Sequence, residues 1–162
     1  MDGFQSQIVE LLPRLRRLAR VLTRDTADAD DLVQMAVERA LDRRGQWAPG
    51  TRLDSWTFRI MKNAWIDETR ARGRKGRVFA AAEAGERIAD PGVASMETRL
   101  EAAEAERALN QLPEDQRLAI ALVLIEGLSY KEAAEVLEVP MGTVTSRLVR
   151  GRTALMARLG GA

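Results

Sequence analysis

Residues 129–155 read SYKEAAEVLEVPMGTVTSRLVRGRTAL, and the punctuation of this stretch sets the fold class. Ser129 followed three residues later by Glu132 has the pattern of a capping box, in which hydroxyl and carboxylate satisfy backbone donors at opposite ends of a first helical turn. Ala133, Ala134 and Leu137 give the short helix a small apolar face. Glu138-Val139-Pro140 makes a turn, with Pro140 suited to the first position of a second helix. There, steps of about 100° per residue place Val144, Leu148, Gly151 and Leu155 on the inner side and Thr143, Arg147 and Arg150 on the opposite side, with Ser146 alongside. The pattern predicts a helix-turn-helix. Its outer face offers hydroxyls and guanidinium forks, groups that pair with guanine edges and phosphates in a major groove. A plain helical hairpin with a solvated arginine face has the same periodicity, so this stretch alone leaves both readings open.

Upstream, the helical period continues. Ile8, Leu11, Leu12, Leu15, Leu18, Ala19 and Leu22 recur at three and four, with Pro13 predicting a kink or a restart inside the run. Residues 25–28 supply turn and N-cap chemistry before a second helix with Val33, Ala36, Val37, Ala40 and Leu41 on one face. A Gly/Pro-punctuated loop, residues 45–50, precedes a third helix over about residues 53–72. No stretch alternates as a strand does. Residues 70–91 turn first basic and then Ala/Glu/Gly-rich without amphipathic spacing, which reads as a linker. A further helix is expected over residues 95–111, and Pro113 opens another that ends at Gly127. The chain is thus expected to be all-α, two small helical domains over residues 1–75 and 96–162 joined by a flexible linker at 76–95.

Composition narrows the chemistry. The 162 residues contain neither cysteine nor histidine, which excludes disulfides, thiolate nucleophiles, Cys/His zinc sites and His-based catalytic units. No glycine-rich phosphate loop is present, so a binding protein is expected rather than an enzyme, without a cofactor. The acids at Asp28, Asp30 and Asp31 lack the Gly and Glu of an EF-hand loop, and no metal is assigned. The longest apolar run, residues 118–125, is too short to span a membrane, and with no signal segment at the N-terminus the protein is expected in the cytoplasm. The net charge of +1 conceals an uneven distribution: residues 1–78 carry 16 Lys+Arg against 11 Asp+Glu, residues 79–110 carry 3 against 7, and the remainder is balanced at 6 against 6.

All three tryptophans, Trp47, Trp56 and Trp65, fall in one segment with Phe58 and the cations Arg52, Arg59 and Lys62. Aromatics among cations suit single-stranded nucleic acid, where bases stack on rings and charges follow the backbone. Trp56 and Phe58 nevertheless sit at core spacing and are read as packing, whereas Trp47, in the Gly/Pro loop, is open to either role.

Four motifs in order, DADDLVQ (28–34), LDSWTFRIMKNAWIDE (53–68), LPEDQR (112–117) and GTVTSRL (142–148), resemble those of bacterial RNA polymerase sigma factors of the extracytoplasmic-function class. The resemblance spans nearly the whole chain outside the linker. It implies that Asp31, Leu32 and Gln34 dock on the RNA polymerase core, and that the loop at Trp47 and Arg52 captures a minus-ten base. It further implies that Arg59, Lys62 and Asn63 contact the opened strand, and that the helix bearing Thr143, Ser146, Arg147 and Arg150 reads the minus-thirty-five element. Promoter DNA and core polymerase are the implied partners, with an anti-sigma factor as inhibitor. Trp65 departs from the family, which often has an aliphatic residue or Phe there. The rival readings are a sigma-like decoy that binds only an anti-sigma factor, a repressor or activator with a ligand-binding domain, and a carboxylate enzyme. The decoy should have eroded DNA-facing positions, yet Thr143, Ser146, Arg147 and Arg150 remain. The repressor leaves the Asp-rich and Trp-rich motifs unused, and the enzyme lacks a recognisable substrate loop.

Overall fold

The computed structural model describes residues 2–74 and 96–160, all helix and turn, with no strand among them. Seven α-helices follow in order: α1 (Gly3–Thr23), α2 (Thr26–Asp42), α3 (Leu53–Arg74), α4 (Met96–Asn110), α5 (Glu114–Ile120), α6 (Tyr130–Leu137) and α7 (Met141–Gly160). The expected linker at 76–95 lies outside the described residues.

Local chemistry sets the boundaries. Asp2 caps α1 through a capping box with Gln5. Arg24 then stops the helix in a left-handed conformation at φ 59°, and the Asp25 carboxylate accepts the Asp28 N–H to start α2. Of the two expected outcomes, a kink or a restart, the restart does not occur: α1 runs through Pro13. Proline frees the carbonyl four residues back, that of Val9, and both Val9 and Pro13 are on the exposed face, where water can satisfy it. Ser129 and Glu132 form the predicted capping box, Glu138 ends α6 at φ 58°, and Pro140 lies one residue ahead of α7 rather than inside it. The helix expected to run from Pro113 to Gly127 is instead α5 followed by one π-helical turn over Ala121–Ile125. In that turn the Glu126 N–H donates to the Ala121 carbonyl, five residues back.

The first three helices bury Leu15, Leu18 and Ala19, then Leu32, Val33 and Ala36, then Phe58, Met61 and Ala64. Alanines with no exposed area on all three helices let the backbones approach closely. The second unit packs α7 on α5 and α6, with Val144, Leu148 and Gly151 facing inward as the periodicity predicted. The units do not stand apart. Leu109, Leu112, Leu118 and Leu122 join Leu15, Leu18 and Leu22 in one continuous apolar cluster.

Polar groups cross the same boundary. Arg117, 2% exposed, donates from Nε to the Val21 carbonyl at 2.7 Å and from Nη1 to the Leu112 carbonyl at 2.9 Å. Burial, reinforced by nearby Arg24, pushes its pKa down to about 10. Glu126 accepts from Arg14 Nε at 2.9 Å and from Arg17 Nε at 2.7 Å. No helix among the described residues is long and apolar enough to cross a membrane.

Gly151 marks the tightest helix approach, since a Cβ there would lie 2.7 Å from Ile120 Cδ1 and 3.3 Å from Gln116 Cβ. Gly142 meets nothing within 4 Å. Gly151→Val should therefore destabilise the chain by about 1–3 kcal/mol through overpacking, whereas Gly142→Ala should stabilise it by about 0.4–1 kcal/mol. Urea unfolding midpoints of the two variants should move in opposite directions at an unchanged m-value.

Candidate polymerase and promoter interfaces

The predicted reading helix, α7, has the expected two sides. Val144 and Leu148 are buried, while Ser146 and Arg150 are exposed and Thr143 and Arg147 half-buried on the outer side. The Thr143 N–H closes the first turn on the Pro140 carbonyl at 3.0 Å, fixing the start of the helix. Arg147 and Arg150 differ in surroundings: Arg147 Nε lies 3.7 Å from the Asp115 carboxylate on α5, which restrains one guanidinium of the pair. Asp115 belongs to the LPEDQR motif, so that motif and GTVTSRL meet in space.

The residues matched to the minus-ten function divide into three groups. Trp47 packs against Phe4 with ring centroids 5.7 Å apart and belongs to a small apolar cluster with Ile8, Leu53 and Ile60. Phe58 is fully buried, as its spacing predicted, and Trp56 is half-buried in the Trp47 cluster. Arg59 is exposed on α3. Arg52, Lys62 and Asn63 form the third group, and each meets a carboxylate of the second unit. Arg52 Nη1 reaches Glu132 at 2.8 Å, Asn63 Nδ2 donates to Glu138 at 3.0 Å, and Lys62 Nζ lies 3.5 Å from the same Glu138 oxygen. Lys62 is only 6% exposed, and burial pulls its pKa below 10.5 despite the favourable Glu138 charge.

Asp31 and Gln34 are exposed on α2, whereas Leu32 is 3% exposed and supports the core beneath them. They line an open groove between α2 and α3 with Met35, Glu38, Trp65 and Glu68. The groove is acidic, with Asp28 and Arg72 closing one end, 3.5 Å apart, and the Arg72 guanidinium 5.8 Å from the Trp65 ring centre. Sequence reasoning named the α2 side of this groove and missed the α3 side. The signal was present as Trp65 and Glu68, three apart and so on one helical face. Glu132 and Glu138 were also missed as partners of the basic segment, and separations of 75 to 80 residues carry no sequence signal.

Asp54 ties these features together. Its carboxylate accepts from Arg52 Nη2 at 2.6 Å, from Arg14 Nη1 at 3.0 Å and from its neighbour Ser55 N–H at 2.7 Å. Burial pushes the carboxyl up, but the hydrogen bonds from Arg52, Ser55 and Arg14 outweigh it and hold the pKa below 3.8. A folded pKa below the unfolded one stabilises the chain fully at neutral pH, and the contribution is lost as pH falls through the lowered value. Asp54→Asn should therefore cost about 1–3 kcal/mol at neutral pH. The gap to wild type should close in acid below 3.8, which urea midpoints measured from neutral to about pH 3 will show.

Comparison with known proteins supplies the family. The model of sigma-70 region 4 matches residues 102–155, and that of the Sigma2 domain of PhyR matches residues 8–62. The chain is 35% identical over 158 residues to the ECF RNA polymerase sigma factor EcfG of Rhodopseudomonas palustris, covering 98% of this chain and 86% of that protein. It is 38% identical over 147 residues to the ECF RNA polymerase sigma factor SigM of Mycobacterium tuberculosis, covering 91% and 72%. Among solved structures, the sigma factor RpoE of Bartonella quintana, crystallised with the anti-sigma factor NepR, superimposes with a TM-score of 0.83 at 30% identity over 99% of this chain and 98% of that one. The helix-turn-helix, the two helical units and the ordered motifs therefore have one common source: the chain belongs to the family of ECF RNA polymerase sigma factors.

Proposed function

We propose that this chain binds core RNA polymerase and directs it to a subset of promoters, acting by binding rather than by catalysis, in the cytoplasm. Residues 1–75 serve as the region 2-like unit for core polymerase and the minus-ten element, and residues 96–162 as the region 4-like unit for the minus-thirty-five element. The observation that carries the reading is the two-sided α7. Its inner side is locked by Val144, Leu148 and Gly151, and its outer side keeps Thr143, Ser146, Arg147 and Arg150 within a region 4 match. A decoy that never touches DNA has no use for that outer side.

The geometry supports a division of labour. Asp31 and Gln34, above the buried Leu32, are the side chains that a polymerase helix would meet in the acidic groove. On the opened strand, Arg59, Lys62 and Asn63 of α3 follow the backbone, and the loop at Trp47 and Arg52 receives an everted base. Promoter melting then derives from binding, since base capture and strand contacts offset the few kcal/mol needed to unstack and flip bases. Tethering the two units makes the second DNA contact effectively intramolecular. An anti-sigma factor is the expected inhibitory partner, by analogy with the similar RpoE, which was crystallised with NepR.

Run-off transcription with purified core polymerase and a promoter library tests the function directly. Discrete initiation at a promoter subset is expected, and no initiation at any template leaves the decoy reading in its place. Replacing both Asp31 and Gln34 with Ala should weaken core binding while the helical circular-dichroism signal stays at wild type.

The two arginines of α7 should behave differently. Arg147, held by Asp115 and one turn from Thr143, is assigned to base reading, and Arg150, free to swing in solvent, to phosphate. Arg147→Ala should cost about 1–3 kcal/mol on the preferred minus-thirty-five sequence and flatten preference at one or two positions. Arg150→Ala should weaken all sequences alike and lower the salt slope by about one unit. Binding of holoenzyme to single-base promoter variants at several salt concentrations separates the two.

A further inference from the structure

The first turn of α1 and the loop between α2 and α3 meet in a second apolar cluster beside the main core, built from Phe4, Ile8, Ala40, Leu53 and Ile60 with Trp47 and Trp56 packed against them. Every residue over 43–52 is exposed except Trp47, so that indole is the loop's one inward-facing side chain. Phe4, 8% exposed, receives it. At the start of the loop Arg44 sets its guanidinium 4.9 Å from the centre of the Phe4 ring. In the middle, Trp47 packs on Phe4 at 5.7 Å between ring centroids, and beyond the loop Trp56, at the start of α3, meets the ring edge-on at 6.2 Å and 76°. A single side chain of α1 therefore touches the loop at its entry, its middle and its exit.

Bonds inside the loop give it shape but not position, since each joins residues three apart. The Gln46 N–H donates to the Arg43 carbonyl at 2.8 Å and the Trp47 N–H to that of Arg44 at 3.2 Å. The Thr51 N–H and hydroxyl both donate to the Ala48 carbonyl, at 3.1 and 2.6 Å, around Gly50 at φ 89°. Position comes from the α1 side. Asp2, fixed by its capping box with Gln5, places its carboxylate 2.8 Å from Arg44 Nη1. An exposed ion pair contributes little alone, but here the same guanidinium also covers the Phe4 ring. Trp47 Nε1 is buried with no hydrogen-bond partner among the described residues, so ring contacts and not a polar bond hold the indole in its seat. An indole seated in this way anchors the loop and leaves residues 48–51 to face a base.

We propose that Phe4 and Arg44 are positioning residues for the loop over 43–52, holding it before DNA arrives in the place from which residues 48–51 receive the minus-ten base. The proposal rests on the assignment of that loop to base capture. A loop already fixed loses little further entropy when a base enters it, so the clamp acts on base preference at the captured position. It leaves core polymerase binding alone, because the groove proposed for that contact lies between α2 and the C-terminal half of α3, at Trp65 and Glu68.

The test uses two variants. Phe4→Leu keeps an apolar side chain and removes the ring, and Arg44→Gln removes the cation at an exposed position that leaves the core intact. Arg43→Gln, the same charge change on the neighbouring exposed residue, is the control, and Arg44→Lys, which keeps a cation for Asp2 and the ring, is the rescue. In the free chain, hydrogen exchange read by mass spectrometry should be at least about fivefold faster over residues 43–52 in both variants, unchanged over residues 29–36, and returned toward wild type in Arg44→Lys. With core polymerase, on a promoter that the wild-type chain transcribes and its single-base minus-ten variants, both substitutions should lower the preference at the captured position at least about threefold, at wild-type affinity for core. Unchanged exchange over 43–52 in either variant overturns the proposal, as does an effect of equal size in Arg43→Gln. Faster exchange with undiminished base preference also overturns it, since the clamp is then a structural contact only. The wild-type holoenzyme separates the two levels. Preference present in wild type and retained in the variants removes the clamp alone, whereas no transcription, or no preference at any minus-ten position, removes the assignment of the loop and this proposal with it.

Discussion

The Glu126 side chain is 1% exposed, and a carboxylate so far from water is tolerated only where cations come to meet it. Arg14 and Arg17, one turn apart on α1, do so with three side-chain hydrogen bonds of 2.7 to 2.9 Å, and Arg14 adds a fourth to the Glu126 carbonyl. Everything else in the packing of the two helical units is consistent with this contact. The π-helical turn ending at Ile125 delivers Glu126 to the boundary, and the Arg14 guanidinium lies 5.2 Å from the centre of the Phe58 ring, at the middle of the first unit's core. The same guanidinium bonds Asp54, which in turn orients Arg52. One chain of charges therefore runs from the interior of the second unit to the candidate DNA surface of the first.

That continuity explains why the basic front of the chain is not a free basic surface. The side chains proposed to meet nucleic acid fall into two groups. Arg59 and Arg150 stand in solvent, where they attract any polyanion at long range. Arg52, Lys62 and Asn63 sit at the boundary between the units, where acids already satisfy them. The net charge of +1 says nothing about how these side chains are distributed. Arg117 works on the same boundary by a different route. With both of its bonds made to backbone carbonyls, one from each unit, it links the LPEDQR motif to the end of α1.

The face proposed to meet polymerase obeys a different logic. Leu32, one of the motif residues, is buried and holds α2 against its neighbours, so its contribution is to present Asp31 and Gln34. The opposite wall, Trp65 and Glu68 on α3, turns a helix face into a groove. Trp65 fills this wall at 7% exposure with Arg72 near its ring, which gives the departure from the family pattern a structural use: a large flat side chain supports the acidic rim.

Helix positions, caps and the inward faces were legible in the sequence because they depend on residues within a turn or two of each other. Ser129 with Glu132 and the Val144, Leu148, Gly151 stripe are decided by spacing alone, and so is the buried place of Phe58. The motif order likewise carried the family. The continuity of α1 through Pro13 was not legible, because it depends on which way the freed Val9 carbonyl faces, and the π turn was not, because its apolar run reads equally well as α-helix. Least legible were the pairings of Arg52 with Glu132, Asn63 with Glu138 and Arg14 with Glu126, separated by 80, 75 and 112 residues. The sequence by itself determined two helical units and the side chains each could turn toward DNA. Only the tertiary structure decided that Arg52, Lys62 and Asn63 of the first unit meet Glu132 and Glu138 of the second, because which distant charges meet is set by how the apolar faces of the two units pack, and no local rule of spacing contains that information.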